Sequence, residues 1–342
     1  GQPAFGRTAD RLFVGIERTP DHRALGLGVV RVISQDVVLR PVTGHHFPAA
    51  LVDRIDHPPA IGRHARVHGA RRRHPGRIQR LDDAPHPDEV RWRLLDEWED
   101  DLTRVYGFPD GVRKISDLPE GVEIVPWSGT GRHPILRAVA ETSTAMKIPH
   151  EPYWKLIQAF KMDQTKKRFE NWDELRRYCY YSADPVGHLF LYVYGHNDQK
   201  MRDLADYTCT ALQLANHWQD VSRDLDQERI YMPVDEIEAH GYSLKEYLVR
   251  SDNEAWRKLM RFQVERAREW FTKGKELWNH IDPRLAVDLA MFTMGGEAIL
   301  NSIERQGYDT WRKRPTVGRV KQFMMYLRVR RLWKKAQREA SA

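Results

Sequence analysis

Gln213-Leu-Ala-Asn216-His-Trp-Gln-Asp220-Val-Ser-Arg-Asp224 is the stretch from which the rest of the chain can be read. On an α-helix turning roughly 100° per residue, Gln213, Asn216, Asp220 and Asp224 fall within a stripe roughly 80° wide. Leu214, Trp218, Val221 and Leu225 fall on a separate, broader face. One face is apolar and can be buried. The other carries two carboxylates one turn apart with two amides beside them. Ionised carboxylates at i and i+4 repel, so the pair needs a counter-charge. A hard divalent cation is one solution, because Mg²⁺ takes oxygen ligands and is commonly held by one or two carboxylates plus substrate phosphates. A solvated face with Asp224 and Arg223 in local ion pairs is another, and the pair by itself does not choose.

Outward from this helix, apolar residues keep recurring at helical spacing. Val90-Leu94-Leu95-Trp98-Leu102-Val105 makes one helix face. Helices are predicted over 134–146, 152–163, 172–182, 189–194, 201–226, 253–281 and 284–306. Strand-like alternation is scarce and the connections are rich in Pro and Gly, so the fold class is all-α.

The chain carries a net charge of +7 over 342 residues, which favours anionic partners. No apolar run is long enough to span a bilayer. The start, Gly1 to Asp10, lacks a signal-peptide pattern. Cys179 and Cys209 have no metal-ligand spacing and are expected to be buried small hydrophobes. These features suggest a cytoplasmic protein. The tail over 311–342 mixes Arg328, Arg330, Arg331, Lys334, Lys335 and Arg338 with Phe323, Met324, Tyr326, Leu327 and Trp333. It reads as a basic amphipathic helix. Such a helix lies on the acidic inner face of a membrane, as a peripheral contact, or packs its apolar face on the body.

Residues 1–87 differ from the rest of the chain. They contain no Lys, Tyr, Trp, Met, Asn or Cys and show no sustained helical period. The run Arg71-Arg72-Arg73-His74 has no interleaved aromatic residue, so nucleic acid is not an expected partner. Three regions result: an atypical, irregular N-terminal segment at 1–87, a helical domain at 88–310 and the basic tail at 311–342.

Several further motifs accompany the aspartate helix. It continues into Arg229-Ile-Tyr231-Met-Pro233, and Tyr178-Cys-Tyr-Tyr-Ser-Ala183-Asp-Pro185-Val-Gly187 precedes it. His133-Pro134, Leu156-Ile157 with Asp163, Gly295-Gly296 with Ile299-Leu300, and Tyr308-Asp309 with Arg314-Pro315 stand before and after these in order. Together these resemble the squalene/phytoene synthase family over roughly Arg91 to Pro315. The Ser-Ala-Asp-Pro-Val-Gly and Asn-His-Trp-Gln-Asp wording is similar to its bacterial hopanoid-pathway branch. Phytoene synthases more often carry Arg where Gln219 stands.

The resemblance implies an isoprenoid-synthase-type helical bundle around a central cavity, acting on a prenyl diphosphate. Asp220, Asp224 and Asn216 would hold Mg²⁺, and Gln213 would complete the ligand or hydrogen-bond shell. Arg223, Arg229 and Tyr231 would contact the diphosphate. Tyr178 would serve the reacting cation, in a wall shared with Phe190, Leu191, Tyr194, Leu212, Phe292 and Leu300. NADPH would be needed if squalene is the product. A phytoene synthase-type enzyme and a non-catalytic scaffold on the same fold are the alternatives.

One family feature is missing. The first aspartate-rich motif should lie shortly before Leu94-Leu95-Asp96-Glu97-Trp98, where this chain has Arg71-Arg72-Arg73-His74. Misframed translation accounts for this: assumed codons CGA-CGA-CGA-CAT read GAC-GAC-GAC, Asp-Asp-Asp, one nucleotide on. A genuine but unusual N-terminal domain is the rival explanation. On either, activity of the chain as written is expected to be poor.

Overall fold

The computed structural model describes residues 88–108, 112–117, 132 and 134–340. The readings made on 1–87, on His133 and on the last two residues lie outside them. The described residues form α1 (Asp88–Val105), α2 (Pro134–Met146), α3 (Glu151–Thr165), α4 (Trp172–Ser182), α5 (Asp184–Val193) and α6 (Gln199–Asp226). Then come α7 (Val234–Ala239), α8 (Leu244–Leu248), α9 (Glu254–Gly274), α10 (Pro283–Arg305) and α11 (Arg319–Ala340). Among the described residues there is no strand, only an isolated parallel bridge between Arg168 and Ile230. The all-α class is as expected.

The helix starts follow from side-chain chemistry. Asn171, Asp198 and Asn253 each accept a hydrogen bond from the backbone N–H three residues on, at 3.0, 3.2 and 2.9 Å. Those N–H groups have no partner inside the helix, which is why Asn and Asp stand there. Ser243 and Glu246 form a reciprocal capping box that starts α8. Neither α7 nor α8 was predicted, because five or six residues are too few to show a period. The helix expected from Leu189 begins instead at Asp184, since Pro185 in the first turn removes an N–H that needed no partner. The helix expected over 253–281 ends at Gly274 and tightens into a 3₁₀ turn at Lys275–Asn279.

The core forms where α6, α9 and α10 meet. Leu214, Trp218 and Val221 of α6 pack with Trp256, Leu259, Met260, Val264 and Phe271 of α9, and with Ile299, Leu300 and Ile303 of α10. Trp218 and Trp256 are fully buried. A methyl group at Gly187 would stand 2.6 Å from Cys209 Sγ, so only glycine lets α5 lie this close to α6. The start of the tail is tied to the body: the Trp311 ring lies 4.6 Å from that of Trp256. Beyond it, Val329, Trp333 and Ala336 of α11 pack on Val287, Met291 and Met294 of α10. No described helix is long and apolar enough to cross a membrane.

Candidate functional site

The last turns of α6 carry the aspartates. Trp218 and Val221 anchor the apolar side of the helix in the core, which fixes the rotation of the opposite face. Gln213, Asn216, Asp220 and Arg223 are half-buried along that face, and Asp224 is buried. The sequence stripe is therefore a real face of the folded helix.

The counter-charge at Asp220 is a guanidinium. Arg314 donates from Nε to Oδ1 at 2.6 Å and from Nη2 to Oδ2 at 3.1 Å, a two-point clamp across 94 residues of chain. Arg223, one turn along α6, stands farther off at 3.7 Å. The segment bearing Arg314 is itself held. Gln219 Nε2 donates to the Pro315 carbonyl at 2.7 Å, and Ser302 Oγ donates to the Thr316 carbonyl at 2.8 Å. Sequence reasoning identified Arg314 only as a family feature. Nothing in its spacing could have paired it with Asp220.

Asp224 sits deeper. Its charge reaches Tyr247 of α8, whose phenol is pushed well up by burial first and then by Asp224. The Asp224 backbone carbonyl accepts the Arg229 N–H at 2.9 Å as the chain leaves the helix. Arg229 is buried, and its Nε makes no hydrogen bond. Its charge is felt at Lys167, which is pushed down by desolvation first and then by Arg229.

Beside the aspartates lies an aromatic stack. His217 and Tyr231 are nearly parallel at 3.7 Å, and Phe169 and Tyr178 lie 5.7 and 5.8 Å from Tyr231. Tyr178 donates its hydroxyl proton to Asp163 Oδ1 at 2.9 Å, both groups being buried. The structure thus brings Tyr178 and Tyr231 together beside α6, and it adds His217 and Asp163, which had no assigned role. The proposed wall residues do not all converge. Phe190, Leu191 and Phe292 share a separate cluster with Leu277, Leu285 and Leu289, and the Tyr194 ring lies 4.9 Å from that of Phe190, whereas Leu300 belongs to the main core.

The donor set fits a hard cation of a particular kind. Two carboxylates one turn apart, flanked by amide oxygens, suit Mg²⁺, but no group of three or more His, Cys, Asp or Glu able to enclose a metal occurs among the described residues. The pair is suited to an ion that draws its other ligands from water and from a bound phosphate, not to a protein-made cage. The two-point contact to Arg314 shows that Asp220 presents both oxygens to a cation from one direction.

Comparison with known proteins places these residues in a family. The squalene/phytoene synthase profile matches residues 77–321. Phytoene synthase from Arthrospira platensis is 28% identical over 261 residues, covering 72% of this chain and 78% of that one. The chloroplastic phytoene synthase 2 of Zea mays is 27% identical over 254 residues, and the chain spans only 58% of its length. Among solved structures, squalene synthase HpnC from Alicyclobacillus acidocaldarius aligns with a TM-score of 0.59 and 38% identity, over 67% of this chain and 78% of that one. A dehydrosqualene synthase, at 20% identity and a TM-score of 0.60 over 75% of this chain and 83% of that one, shares the fold. With the aspartate helix, the aromatic stack beside it and a profile match over most of its length, the chain belongs to the squalene/phytoene synthase family.

Proposed function

We propose that this protein is a Mg²⁺-dependent head-to-head isoprenoid diphosphate enzyme, taking farnesyl or presqualene diphosphate toward squalene or hydroxysqualene. The observation that carries the reading is the α6 face itself, which sets Asp220 beside cationic Arg314 and Arg223, one turn from Asp224, with Arg229 just past the end of the helix. Mg²⁺, when bound, would neutralise charge on the departing diphosphate. Asp220 and Asp224 would hold it, with Asn216 and Gln213 alongside. Arg223 and Arg229 offer donors to phosphate oxygens, and Arg229 is already desolvated, where a charge-assisted bond is strongest. Tyr178, oriented by Asp163, places an aromatic face beside the same helix. A carbocation can be stabilised by such a face.

The 38% identity to the HpnC squalene synthase supports the squalene side over the phytoene side, as does Gln219 in place of arginine. Squalene, unlike hydroxysqualene, requires a hydride donor. Product analysis with Mg²⁺, with and without NADPH, tests the reading on a chain whose N-terminal frame has been restored. Hydroxysqualene or squalene from farnesyl or presqualene diphosphate is expected. Turnover of geranylgeranyl diphosphate alone would favour the phytoene reading, and diphosphate binding without turnover would favour a scaffold. The chain as written is expected to turn over little, because the first aspartate-rich motif that the family resemblance implies has no counterpart in its sequence. Robust Mg²⁺-dependent turnover by it would overturn that view.

A second proposal concerns α11, which supports peripheral contact with an anionic bilayer. Val320, Phe323 and Met324 are 79, 59 and 59% exposed, and Arg331, Lys334 and Arg338 continue the same helical stripe. The geometry is that of a helix lying in the membrane interface, apolar at one end of its outer face and basic at the other. Flotation with vesicles rich in phosphatidylserine, against neutral vesicles, is the test, and equal behaviour with both would remove the proposal.

A further inference from the structure

We infer that Arg314 is a built-in counter-ion that occupies Asp220 until a metal-bound diphosphate arrives, and then transfers to the diphosphate. The inference rests on the reading of Asp220 as a metal ligand. It goes beyond that reading, because it assigns a role to a residue outside the aspartate motif. Three observations lead to it. First, Arg314 takes both oxygens of Asp220, at 2.6 and 3.1 Å, and these are the atoms a cation would need. A guanidinium and a divalent ion therefore compete for one carboxylate. Second, the backbone on either side of the competition is fixed. Gln219 and Ser302 clamp the carbonyls of Pro315 and Thr316, and Trp311 is packed in the core. Only the Arg314 side chain has to move, about a pivot that α6 and α10 hold in place. Third, arginine's planar fork matches phosphate oxygens as well as carboxylate oxygens. Once a metal displaces it from Asp220, the phosphates that the metal brings lie within its reach.

The arrangement has a purpose in electrostatic terms. Asp220 and Asp224 stand one turn apart with Asp224 buried, so an empty site holds two negative charges that repel. Arg314 relieves that repulsion in the resting protein. It also sets a threshold: a divalent ion alone must displace a two-point ion pair, whereas an ion arriving with a diphosphate gives the arginine a new anion. Metal and diphosphate should therefore bind with positive coupling, each improving the affinity for the other.

The test measures binding on the full chain, so it does not depend on turnover. Mn²⁺, a paramagnetic stand-in for Mg²⁺, is titrated by electron paramagnetic resonance, and inorganic pyrophosphate is titrated calorimetrically with Mg²⁺ present. Arg314→Ala should bind Mn²⁺ alone about tenfold more tightly, because one charge-assisted competitor is gone. The same variant should bind pyrophosphate with Mg²⁺ more weakly, by a similar factor. Arg314→Lys should move both quantities the same way by less, since lysine keeps the charge but loses the fork, and this variant decides the matter if Arg314→Ala does not fold. A merely structural role would weaken both affinities together. Unchanged or weaker Mn²⁺ binding by folded Arg314→Ala, with Asp220→Asn abolishing that binding, would overturn the role of Arg314 alone. Mn²⁺ binding insensitive to both substitutions would overturn the metal assignment of Asp220, and this inference with it.

Discussion

Helices α6 and α11 are both amphipathic and both carry charge, yet the fold uses them in opposite ways. In α6 the apolar side is driven into the core, and polar side chains meet partners from other parts of the chain: Arg314 at Asp220, the Pro315 carbonyl at Gln219, and Asp184 at Thr210. In α11 Met325, Val329, Trp333 and Ala336 face the body, leaving Val320, Phe323 and Met324 exposed. Its sole acid, Glu339, comes at the very end of the helix. The difference teaches that amphipathicity marks a helix for burial on one side and says nothing of what its other side is for. A helix whose polar groups are met from elsewhere in the fold is preorganised for chemistry. A helix rich in basic residues with bare apolar residues beside them is suited to a surface outside the chain.

The comparison can be broken most severely at the core. Trp218→Ala removes a fully buried ring and should cost about 3–5 kcal/mol, read as a lowered midpoint in denaturant unfolding. A loss near zero would mean that the apolar face of α6 does not fix its rotation. Next come the carboxylates. In a frame-restored chain, Asp220→Ala or Asp224→Ala should lower Mg²⁺-dependent turnover on the order of 10²–10³-fold, with circular dichroism little changed. Near-normal turnover in both would reduce the polar face to a solvated one.

A third effect concerns pH. Buried Asp184, between α4 and α6, is paired with Arg176 at 2.7 Å and accepts from Thr210 at 2.9 Å. Burial, and then the charge of Asp206, push its carboxyl up to about 7. A carboxyl raised on folding binds a proton more tightly in the native state. Its contribution to stability is therefore fullest below the ordinary carboxylate range and declines as pH rises toward about 7. Asp184→Asn should flatten that decline, so wild type and variant should differ more at pH 8 than at pH 5 in the variant's favour. A pH-independent difference would contradict it. The smallest effect sharpens the other half of the comparison. Phe323→Ser on α11 should change stability by less than about 0.5 kcal/mol while weakening flotation with anionic vesicles. A clear loss of stability would show that Phe323 packs against the body.

Much of this was legible in the linear chain. Helices 134–146 and 172–182 were bounded correctly because proline, asparagine and the apolar period mark them within a few residues. The α6 stripe could be read because a helix of fixed pitch turns spacing into direction. The composition of α11 likewise showed a basic amphipathic helix. Other features were beyond the reach of any local pattern. That Asp220 meets Arg314, that Tyr178 is oriented by Asp163 and that His217 stacks on Tyr231 depend on loops closing over long separations. Which side of α11 faces the body depends on where α10 offers Val287 and Met291. The sequence by itself determined the helices and the presence of an aspartate face, because both are set by periodicity within one element. Tertiary structure alone decided which cation answers that face and which aromatics stand beside it, because those partners are brought together only when separate helices pack.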